Sequence, residues 1–487
     1  MTRRVDTALL VARANAALAA GKAGLAADCY RAALAASPDH PELLHSLGDA
    51  LRAGGDVAGA EAALRRSLTL RPDQPATHNA LGNLLRAAGR PAEALEAYRH
   101  ALYLTPTNGQ VRGNLGTALL DLHRPEEARV WLAQAVAADP ADAQARVHLG
   151  GALMLMRDPA AALTQYCQAR ALAPDLTDAT LGEALARLTL GDWIAGWEAY
   201  EARLRHPRFR LHAVDVLGPR WHGPEPIRGR TLMLLSEQGL GDTLQFCRYV
   251  PLLRQRGARV ILRVQRPLVT LLRGLADRIV APGGGMLRFD AWCPLMSLPR
   301  AFATTPETVP PPAPLAANPT GRRTWVRRLG RRRALRVGLA WSGNADHPLD
   351  ALRSLPQDAL APLLELPGIE AHTLQPEARP ADKRIRAHPN IADFADAAAL
   401  VDLMDVVISV DTAIAHLAGT LGKPVWILLP HAADCRWLLD RADTPWYPSA
   451  RLFRQARPHD WAGVVDAAAQ ALRALARSAP SRRQTGR

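Results

Sequence analysis

The chain has 487 residues, of which 48% are hydrophobic and 22% are charged, the composition of an ordinary soluble protein. This length exceeds what one hydrophobic core supports, so two to four domains are expected. The formal net charge of +14 favours acidic partners such as phosphates. The positive charge is spread along the chain apart from residues 322–336, which excludes a dedicated nucleic-acid-binding module.

The cysteines argue against a disulfide framework or a zinc site. There are five of them, an odd number, and no two are spaced as Cys-x-x-Cys. Such usage is typical of a reducing compartment, and no apolar run reaches the ~18 residues of a membrane span. We therefore expect a cytoplasmic protein without a transmembrane segment.

The first two-fifths of the chain repeats itself with a period of 34 residues. Small residues, large residues and prolines recur in register, as in tetratricopeptide repeats, which have two antiparallel helices each. The proline ends the second helix because it cannot continue the hydrogen-bond ladder. The small residues are Ala14, Gly48, Gly82, Gly116, Gly150 and Ala184; the large residues are Tyr30, Leu64, Tyr98, Leu132, Tyr166 and Tyr200; the prolines are Pro38, Pro72, Pro106, Pro140 and Pro174.

A stack of such repeats predicts a curved superhelix whose concave groove holds a peptide or a partner protein. A spacer or an oligomerisation scaffold is the other interpretation, since the sequence does not name a ligand for the groove. The sixth unit carries Trp193 and Trp197, which suits a terminal repeat that packs onto a following domain.

From residue 228 onward, short apolar runs alternate with helical stretches, which predicts parallel βαβ units. A segment containing VPPPAP separates two such halves, so a cleft is expected between the carboxyl ends of two parallel sheets. We predict repeats at 1–206, α/β halves at 207–318 and 319–476, and a disordered tail at 477–487. The predicted strands are TLMLLS, ARVILRVQ, LRVGLAW, EAHTLQ, NIADFA, DVVISVD and KPVWILLP, and the predicted helices are residues 243–255, PLVTLLRGL, AAALVDLMD and TAIAHLAGTLG.

The loop EQGLGDTLQ follows the first predicted strand. Gly239 and Gly241 permit a tight turn and the close approach of a ligand. Asp242 and Gln245, three residues apart, also form a capping-box-like helix start. A structural role therefore explains this loop as well as a binding role does.

A second loop, SVDTAIAHLAG, follows the strand DVVISV. With a helix beginning at Thr412, the free backbone amides of residues 412–414 form an anion site. The small Ala413 lets a phosphate approach, and His416 lies one turn after Thr412 on the same face. In the alternative interpretation, Asp411 caps the helix and His416 is a hydrogen-bonded core histidine.

A third loop, WSGNADHPLDALRSLP, follows the strand LRVGLAW. Gly343 and Asn344 allow a turn. The guanidinium of Arg353 is able to donate two hydrogen bonds to phosphate oxygens. A plain surface loop is the alternative. The chain has no Asp-x-Asp pair, HExxH motif, nucleophile elbow or P-loop lysine motif, which disfavours a metal-dependent transferase, a hydrolase and an NTPase.

Five colinear stretches together resemble a known family. The chain resembles bacterial tetratricopeptide proteins with a family 9 glycosyltransferase domain, of the ADP-heptose:lipopolysaccharide heptosyltransferase superfamily. Its plan of repeats followed by a two-lobed transferase also resembles the O-linked N-acetylglucosamine transferases. The stretches are EQGLGDTLQFCRYVPLL, WCPLMSLP, VGLAWSGN with the following His, Asp and RSLP, VDTAIAHLAGTLGKPVW, and LLPHAADCRWLLDRADTPWYPSARLFRQ.

The resemblance implies a GT-B fold of two Rossmann-like domains, with the acceptor side at 207–318 and the donor side at 319–476. It implies inverting, metal-independent hexosyl or heptosyl transfer from a nucleotide-diphosphate sugar, a co-substrate that leaves no need for a cofactor. The acceptor is a protein or a glycan. Asp242 corresponds to the general base, in an acceptor-side loop with Gly239, Gly241 and Gln245. The implied donor-binding residues are Gly343, Asn344, Arg353, Ser354, Gln375, Asp411, Thr412, Ala413 and His416.

The chain departs from this family at the third loop, where it reads LDALRS and relatives usually read NDRNRS. His431 and Cys435 also replace the phenylalanine and tryptophan that are usual there. The alternative function is therefore a non-catalytic interaction scaffold in which the transferase domain is degenerate.

Overall fold

The computed structural model describes residues 7–207, 218–283, 287–347 and 349–478. The chain forms two compact units, Met1–Gly182 and Glu183–Arg487. The described part of the first is built from helices, and the second contains two parallel β-sheets. This architecture confirms the predicted class, a helical repeat array followed by an α/β region.

The first unit consists of antiparallel helical pairs, as the repeat pattern predicts. The second helix of each pair ends two residues before the recurring proline, because proline cannot extend the helical hydrogen bonds. A last helix, α11, continues into the second unit. The helices are α1 Thr7–Ala19, α2 Ala23–Ala36, α3 Pro41–Ala53, α4 Val57–Leu70, α5 Pro75–Ala87, α6 Pro91–Leu104, α7 Gly109–Asp121, α8 Pro125–Ala138, α9 Ala143–Leu155, α10 Pro159–Leu172 and α11 Thr177–Leu190.

The recurring small residues face the recurring large ones across each helical pair. A methyl group placed on Gly82 would lie 2.5 Å from a ring carbon of Tyr98. Glycine is therefore needed for the two helices of this repeat to approach as they do. The large residue packs against its own repeat, and only in part against the next one: Tyr166 meets Gly150 of its own pair and also Gly182 of α11.

The second unit contains a four-stranded sheet in the order β3-β2-β1-β4 and a six-stranded sheet in the order β10-β9-β8-β5-β6-β7. All of the strand pairs within these two sheets are parallel. The strands are β1 Thr231–Leu235, β2 Arg259–Arg263, β3 Arg278–Val280, β4 Ala291–Pro294, β5 Leu335–Ala340, β6 Ile369–Thr373, β7 Ile385–Arg386, β8 Val406–Val410, β9 Val425–Leu429 and β10 Ala450–Arg454.

The helices of the second unit flank these sheets, and the longest of them buries Trp461, Val465 and Leu472 in the core of the six-stranded sheet. That helix, α21, continues to Ser478, and the rest of the predicted tail, 479–487, lies outside the described residues. The helices are α12 Trp193–Tyr200, α13 Leu240–Phe246, α14 Val250–Gln255, α15 Leu298–Ala301, α16 Pro319–Leu329, α17 Asp350–Arg353, α18 Ala361–Leu364, α19 Phe394–Val401, α20 Ala413–Thr420 and α21 Trp461–Ser478.

Two element predictions were wrong. The stretch PLVTLLRGL forms only a 3₁₀ turn at Arg266–Leu268 followed by turns, and its β-branched Val269 and Thr270 disfavour a helix. NIADFA is not a strand, because the side chain of Asp393 accepts the amide of Asp396 at 2.9 Å and starts α19. The domain boundaries at 206 and 318 stay predictions. None of the described helices combines the length and the apolar character needed to cross a membrane.

Candidate active site

Loops from the two sheets meet at the carboxyl ends of their strands. β1 ends at Leu235 and leads into EQGLGD, while β8 ends at Val410 and leads into Asp411. A methyl group on Gly241 would lie 2.6 Å from Cδ2 of His416. Helices α13 and α20 therefore approach this closely because residue 241 has no side chain. The structure thus brings the first two predicted loops together.

Asp242 has a structural role in its own loop. Helix α13 begins at Leu240 and not at Thr243, with Gly239 as its N-cap residue. Asp242 is the third residue of the helix, and its Oδ2 accepts the backbone amide of Gly239 at 2.8 Å. Gln245 takes no part in this cap. Its fully buried side chain leaves Nε2 without a hydrogen-bond partner among the described residues.

Arg436 links the two loops through one guanidinium group. Its Nη2 donates to Oδ1 of Asp242 at 2.9 Å, and its Nη1 donates to Oε1 of Gln245 at 2.9 Å. The same Nη1 lies 3.2 Å from Nε2 of His416, and Nε donates to Asp434 at 2.9 Å. Burial opposes the charge, but Asp434, Asp242 and Asp411 hold the pKa of Arg436 well above its usual value.

His416 is buried and hydrogen-bonded. Its Nδ1 lies 2.9 Å from the hydroxyl of Tyr447, and the fully buried Trp437 stacks on its ring at a centroid distance of 5.6 Å. The indole of Trp437 also donates to Oδ2 of Asp411 at 2.9 Å. Burial raises the pKa of Asp411, but the nearby His416, whose Nε2 lies 3.7 Å from Oδ1, and the charge of Arg436 outweigh it and hold that pKa well below its usual value.

Thr412, and not Asp411, caps α20. Its hydroxyl accepts the amide of Ile414 at 3.3 Å and lies 3.0 Å from the hydroxyl of Ser409. One of the three amides expected at this anion site is therefore already bonded to the cap. Ala413 is the first residue of the helix, so no carbonyl within the helix is placed to accept its amide. This amide lies at the positive end of the helix dipole.

The third predicted loop follows β5 in the same sheet and is held by its own side chains. Nε of Arg353 donates to Oδ1 of Asp350 at 2.9 Å. Ser354 donates to Oδ2 of Asp350 at 3.0 Å and accepts the amide of Gly343 at 2.8 Å. Asn344 accepts the amide of Asp346 at 3.2 Å. These hydrogen bonds stay within the loop.

Gln375 follows β6 and braces the end of β5. Its Oε1 accepts the amide of Trp341 at 2.9 Å, and its Nε2 donates to the carbonyl of Ser342 at 2.9 Å. Parallel strands place the carboxyl ends of β5, β6, β8 and β9 at one edge of the sheet. All of the predicted donor residues therefore follow strands that end at this edge.

A buried ion pair fixes the start of the loop EQGLGD. Both oxygens of Glu237 accept from Arg203, at 3.1 and 3.0 Å, and one also accepts the amide of Met296 at 3.0 Å. Burial raises the pKa of Glu237 in spite of Arg203. Arg203 itself is fully buried in the turn that follows α12.

Aromatic side chains from α12 pack beside this loop. Trp193 stacks on Trp446 at a centroid distance of 5.0 Å, and Trp197 meets the edge of Phe246 at 5.9 Å. Gln238, within the loop, donates to the hydroxyl of Tyr200 at 3.1 Å. The two tryptophans of the sixth helical pair thus pack on the α/β region, as their position in the sequence indicated.

The sequence analysis missed Arg436, Trp437 and Tyr447 as site residues. All three lie in the stretch LLPHAADCRWLLDRADTPWYPS, which carried part of the family resemblance and follows β9. Only their contacts show that Arg436 joins Asp242 to His416 and that Trp437 and Tyr447 hold His416. Among the described residues, no group of three His, Cys, Asp or Glu side chains is placed to hold a metal ion.

Comparison with protein families finds similarity in three segments of the chain. The description "Tetratricopeptide repeat" matches residues 11–75 and 85–150. The description "Glycosyltransferase family 9 (heptosyltransferase)" matches residues 391–455. That segment includes Asp411, His416 and Arg436, whereas Asp242 and Arg353 lie outside it.

A curated relative, Protein FlbA of Caulobacter vibrioides, is 29% identical over 340 residues, which cover 62% of this chain and 56% of FlbA. The chain therefore spans just over half the length of this relative.

Solved structures with similarity to the chain include PilW, a type IV pilus biogenesis factor (20% identity, 43% of this chain and 97% of that one, TM-score 0.39). YrrB is 20% identical and covers 38% of this chain with 95% of its own, at a TM-score of 0.33. MamA is 24% identical and covers 33% of this chain with 93% of its own, at a TM-score of 0.31. The chain is thus similar to tetratricopeptide-repeat proteins at residues 11–75 and 85–150 and to family 9 glycosyltransferases at residues 391–455.

Proposed function

We propose that the second unit is a glycosyltransferase that moves a sugar from a nucleotide-diphosphate sugar to an acceptor hydroxyl. The observation that carries the proposal is the single guanidinium of Arg436, which joins His416, inside the family 9 segment, to Asp242, outside it. A carboxylate is thereby placed next to a helix N-terminus, at the carboxyl ends of parallel strands. In open α/β sheets, ligands bind at this edge.

The donor diphosphate is proposed to bind at the start of α20. The helix dipole, the amide of Ala413 and the hydroxyl of Thr412 favour an anion there, and His416 lies on the following turn. The neighbouring strand ends supply further donor contacts, and the two sheets form the two lobes of a GT-B fold. The further donor residues are Gly343, Asn344, Arg353, Ser354, Gln375 and Asp411.

The proposed reaction is an inverting displacement without a metal ion or cofactor. The acceptor oxygen attacks the anomeric carbon, and the bond from that carbon to the diphosphate oxygen breaks, with its electron pair leaving on the diphosphate. Asp242 accepts the proton of the acceptor hydroxyl as attack proceeds. Helix amides and arginine side chains stabilise the negative charge that develops on the leaving diphosphate.

The repeats are proposed to recruit the acceptor, a protein or a glycan, or a partner protein. A groove of about 400 Å³ is lined by side chains of α3 and α5 and of the start of α7. Its lining is mostly polar, and Asn79 accepts a hydrogen bond from Asn114 at 2.9 Å. The second unit would then act in the cytoplasm on what the groove holds.

A second candidate function is a scaffold without transferase activity. Two observations favour it: both oxygens of Asp242 already accept hydrogen bonds, and Arg353 is paired with Asp350 inside the LDALRS loop. In this case the repeats would carry the function, and the second unit would bind no nucleotide sugar.

Thermal-shift binding with ADP, UDP, GDP and their sugar conjugates separates these candidates. We expect one nucleotide to raise the melting temperature of the wild type, and Thr412→Val and Arg353→Ala to lose that shift. Thr164→Val and Arg99→Ala, exposed positions in the repeats, are the matched controls and should keep it. If no nucleotide shifts the wild type, the scaffold is the better interpretation.

A further inference from the structure

We propose that Arg436 is a donor-operated switch on the catalytic base. In the free protein it pairs with Asp242, and it transfers to the diphosphate when the donor binds, which frees Asp242 to accept a proton. This inference rests on the proposed transferase function and goes beyond it, because it assigns a role to a residue that neither the motifs nor that reaction requires.

The backbone of Arg436 belongs to the proposed donor side. It lies in a 3₁₀ turn, Cys435–Trp437, that follows β9. Trp437 anchors this turn by stacking on His416 and donating to Asp411, and Asp434 caps it by accepting the amide of Arg436 at 2.9 Å. The turn is therefore tied to the residues that are proposed to bind the diphosphate.

The end of the side chain, in contrast, reaches the other sheet's loop. Nη2 bonds to Asp242 and Nη1 to Gln245, which are 194 and 191 residues away in sequence. Because Nη1 also lies 3.2 Å from Nε2 of His416, the guanidinium already touches both sides. A small rotation of the outer side-chain bonds exchanges one set of oxygen partners for another and leaves the anchored turn in place.

The charges around Arg436 favour such an exchange. Three carboxylates, those of Asp242, Asp411 and Asp434, act on this one cation. A diphosphate that entered beside His416 would meet these negative charges and would need a cation. A guanidinium offers a planar fork of donors that matches phosphate oxygens, and its hydrogen bonds to them are charge-assisted.

The exchange would also change the chemistry of Asp242. In the free protein, Oδ1 of Asp242 accepts from Arg436 and Oδ2 accepts from the amide of Gly239, so both oxygens already have donors. Once the guanidinium moves to the diphosphate, Asp242 loses that partner, and the same positive charge supports the leaving group. The base would then be available only when the donor is in place.

A double-mutant cycle on nucleotide binding tests this competition. We expect Asp242→Asn to bind the nucleoside diphosphate about tenfold more tightly than the wild type, because no charged hydrogen bond has to be broken first. Arg436→Gln should bind it about tenfold more weakly, and Asp242→Asn should add no tightening in the Arg436→Gln background. Calorimetry with ADP, UDP and GDP, and with the matching monophosphates, measures all four proteins.

The control cycle uses Asp443→Asn and Arg441→Gln, an exposed ion pair in the same unit, and should leave the affinity unchanged. If Asp242→Asn is unstable by circular dichroism, Asp242→Ser removes the same charge, keeps an acceptor for the Gly239 amide and is interpreted in the same way.

Three results would overturn the inference while leaving the proposed function intact. The first is that Asp242→Asn binds the nucleoside diphosphate no more tightly than the wild type. The second is that Asp242→Asn still tightens binding in the Arg436→Gln background, which would reflect simple charge repulsion. The third is that Arg436→Gln binds with wild-type affinity. If the wild type binds no nucleoside diphosphate at all, the proposed function fails, and the inference fails with it.

Discussion

The two units of the protein differ in how deeply some of their ion pairs are buried. In the repeats, ion pairs such as Arg99–Glu96 join exposed side chains three residues apart on one helix. In the second unit, Arg203–Glu237 is buried, and Arg436–Asp242 joins residues 194 positions apart. Exposed local pairs contribute little to stability. Removing one partner of a buried pair is strongly destabilising, because it leaves an uncompensated charge in the interior. Arg203–Glu237 and Arg436–Asp242 lie at the candidate site, whereas the exposed pair Arg99–Glu96 does not.

The largest expected effect comes from breaking the buried pair in the second unit. Arg203→Met should lower the free energy of unfolding by about 3–5 kcal/mol, because Glu237 is then buried without a partner. Urea unfolding followed by tryptophan fluorescence measures this, since all of the 11 tryptophans except Trp131 lie in the second unit. If the free energy of unfolding changed by less than it does for a surface mutation, Arg203 and Glu237 would not be paired in solution.

The next effect concerns the contact between α13 and α20. Gly241→Ala places a methyl group 2.6 Å from His416 and should force the two loops apart. We expect sugar transfer to fall about 100-fold, because small misplacements of reacting groups are that costly. Initial rates with the nucleotide sugar identified by thermal shift measure the loss. Normal transfer by this variant would contradict the assignment of the site.

The matched change in the repeats should affect stability and leave the site alone. Gly82→Ala places a methyl group 2.5 Å from the ring of Tyr98, and overpacking of this kind costs about 1–3 kcal/mol. Thermal unfolding followed by the helical circular dichroism signal measures it. Nucleotide binding by this variant should equal that of the wild type; a change there would show that the two units are coupled.

The smallest effect is expected at an exposed ion pair of the repeats. Arg99→Ala removes the partner of Glu96 and should change the free energy of unfolding by no more than about 0.5 kcal/mol. Urea unfolding of this variant, run beside Arg203→Met, gives the direct contrast between the units. A loss comparable to that of Arg203→Met would remove the distinction drawn between them.

Local signals in the sequence predicted much of the fold. The spacing of small residues and prolines led to the helical pairs, and short apolar runs led to β1, β2, β5, β6, β8 and β9. The same local reasoning failed at NIADFA, where the cap formed by Asp393 outweighs the alternating pattern. It also placed Thr412 inside α20, although this residue is the N-cap.

The candidate site was predictable only in part. Strand ends and helix starts indicated Asp242, Asp411 and His416, because these positions follow from local order along the chain. No local signal indicates Arg436, because its partners are distant in sequence. Asp242 and Gln245 follow β1 of the other sheet, and His416 lies on α20. Nothing in the order of residues states which loops of two separate sheets come into contact.

By itself, the sequence determined the repeat array, the parallel α/β character of the remainder and the three polar loops, since each of these depends on neighbours within a few residues or on a fixed period. The tertiary structure alone decided that Asp242, Arg436 and His416 form one cluster and that Glu237 is held by Arg203. Such contacts depend on how strands are ordered and how loops meet across the cleft, and they are made by single side chains that no periodic pattern identifies.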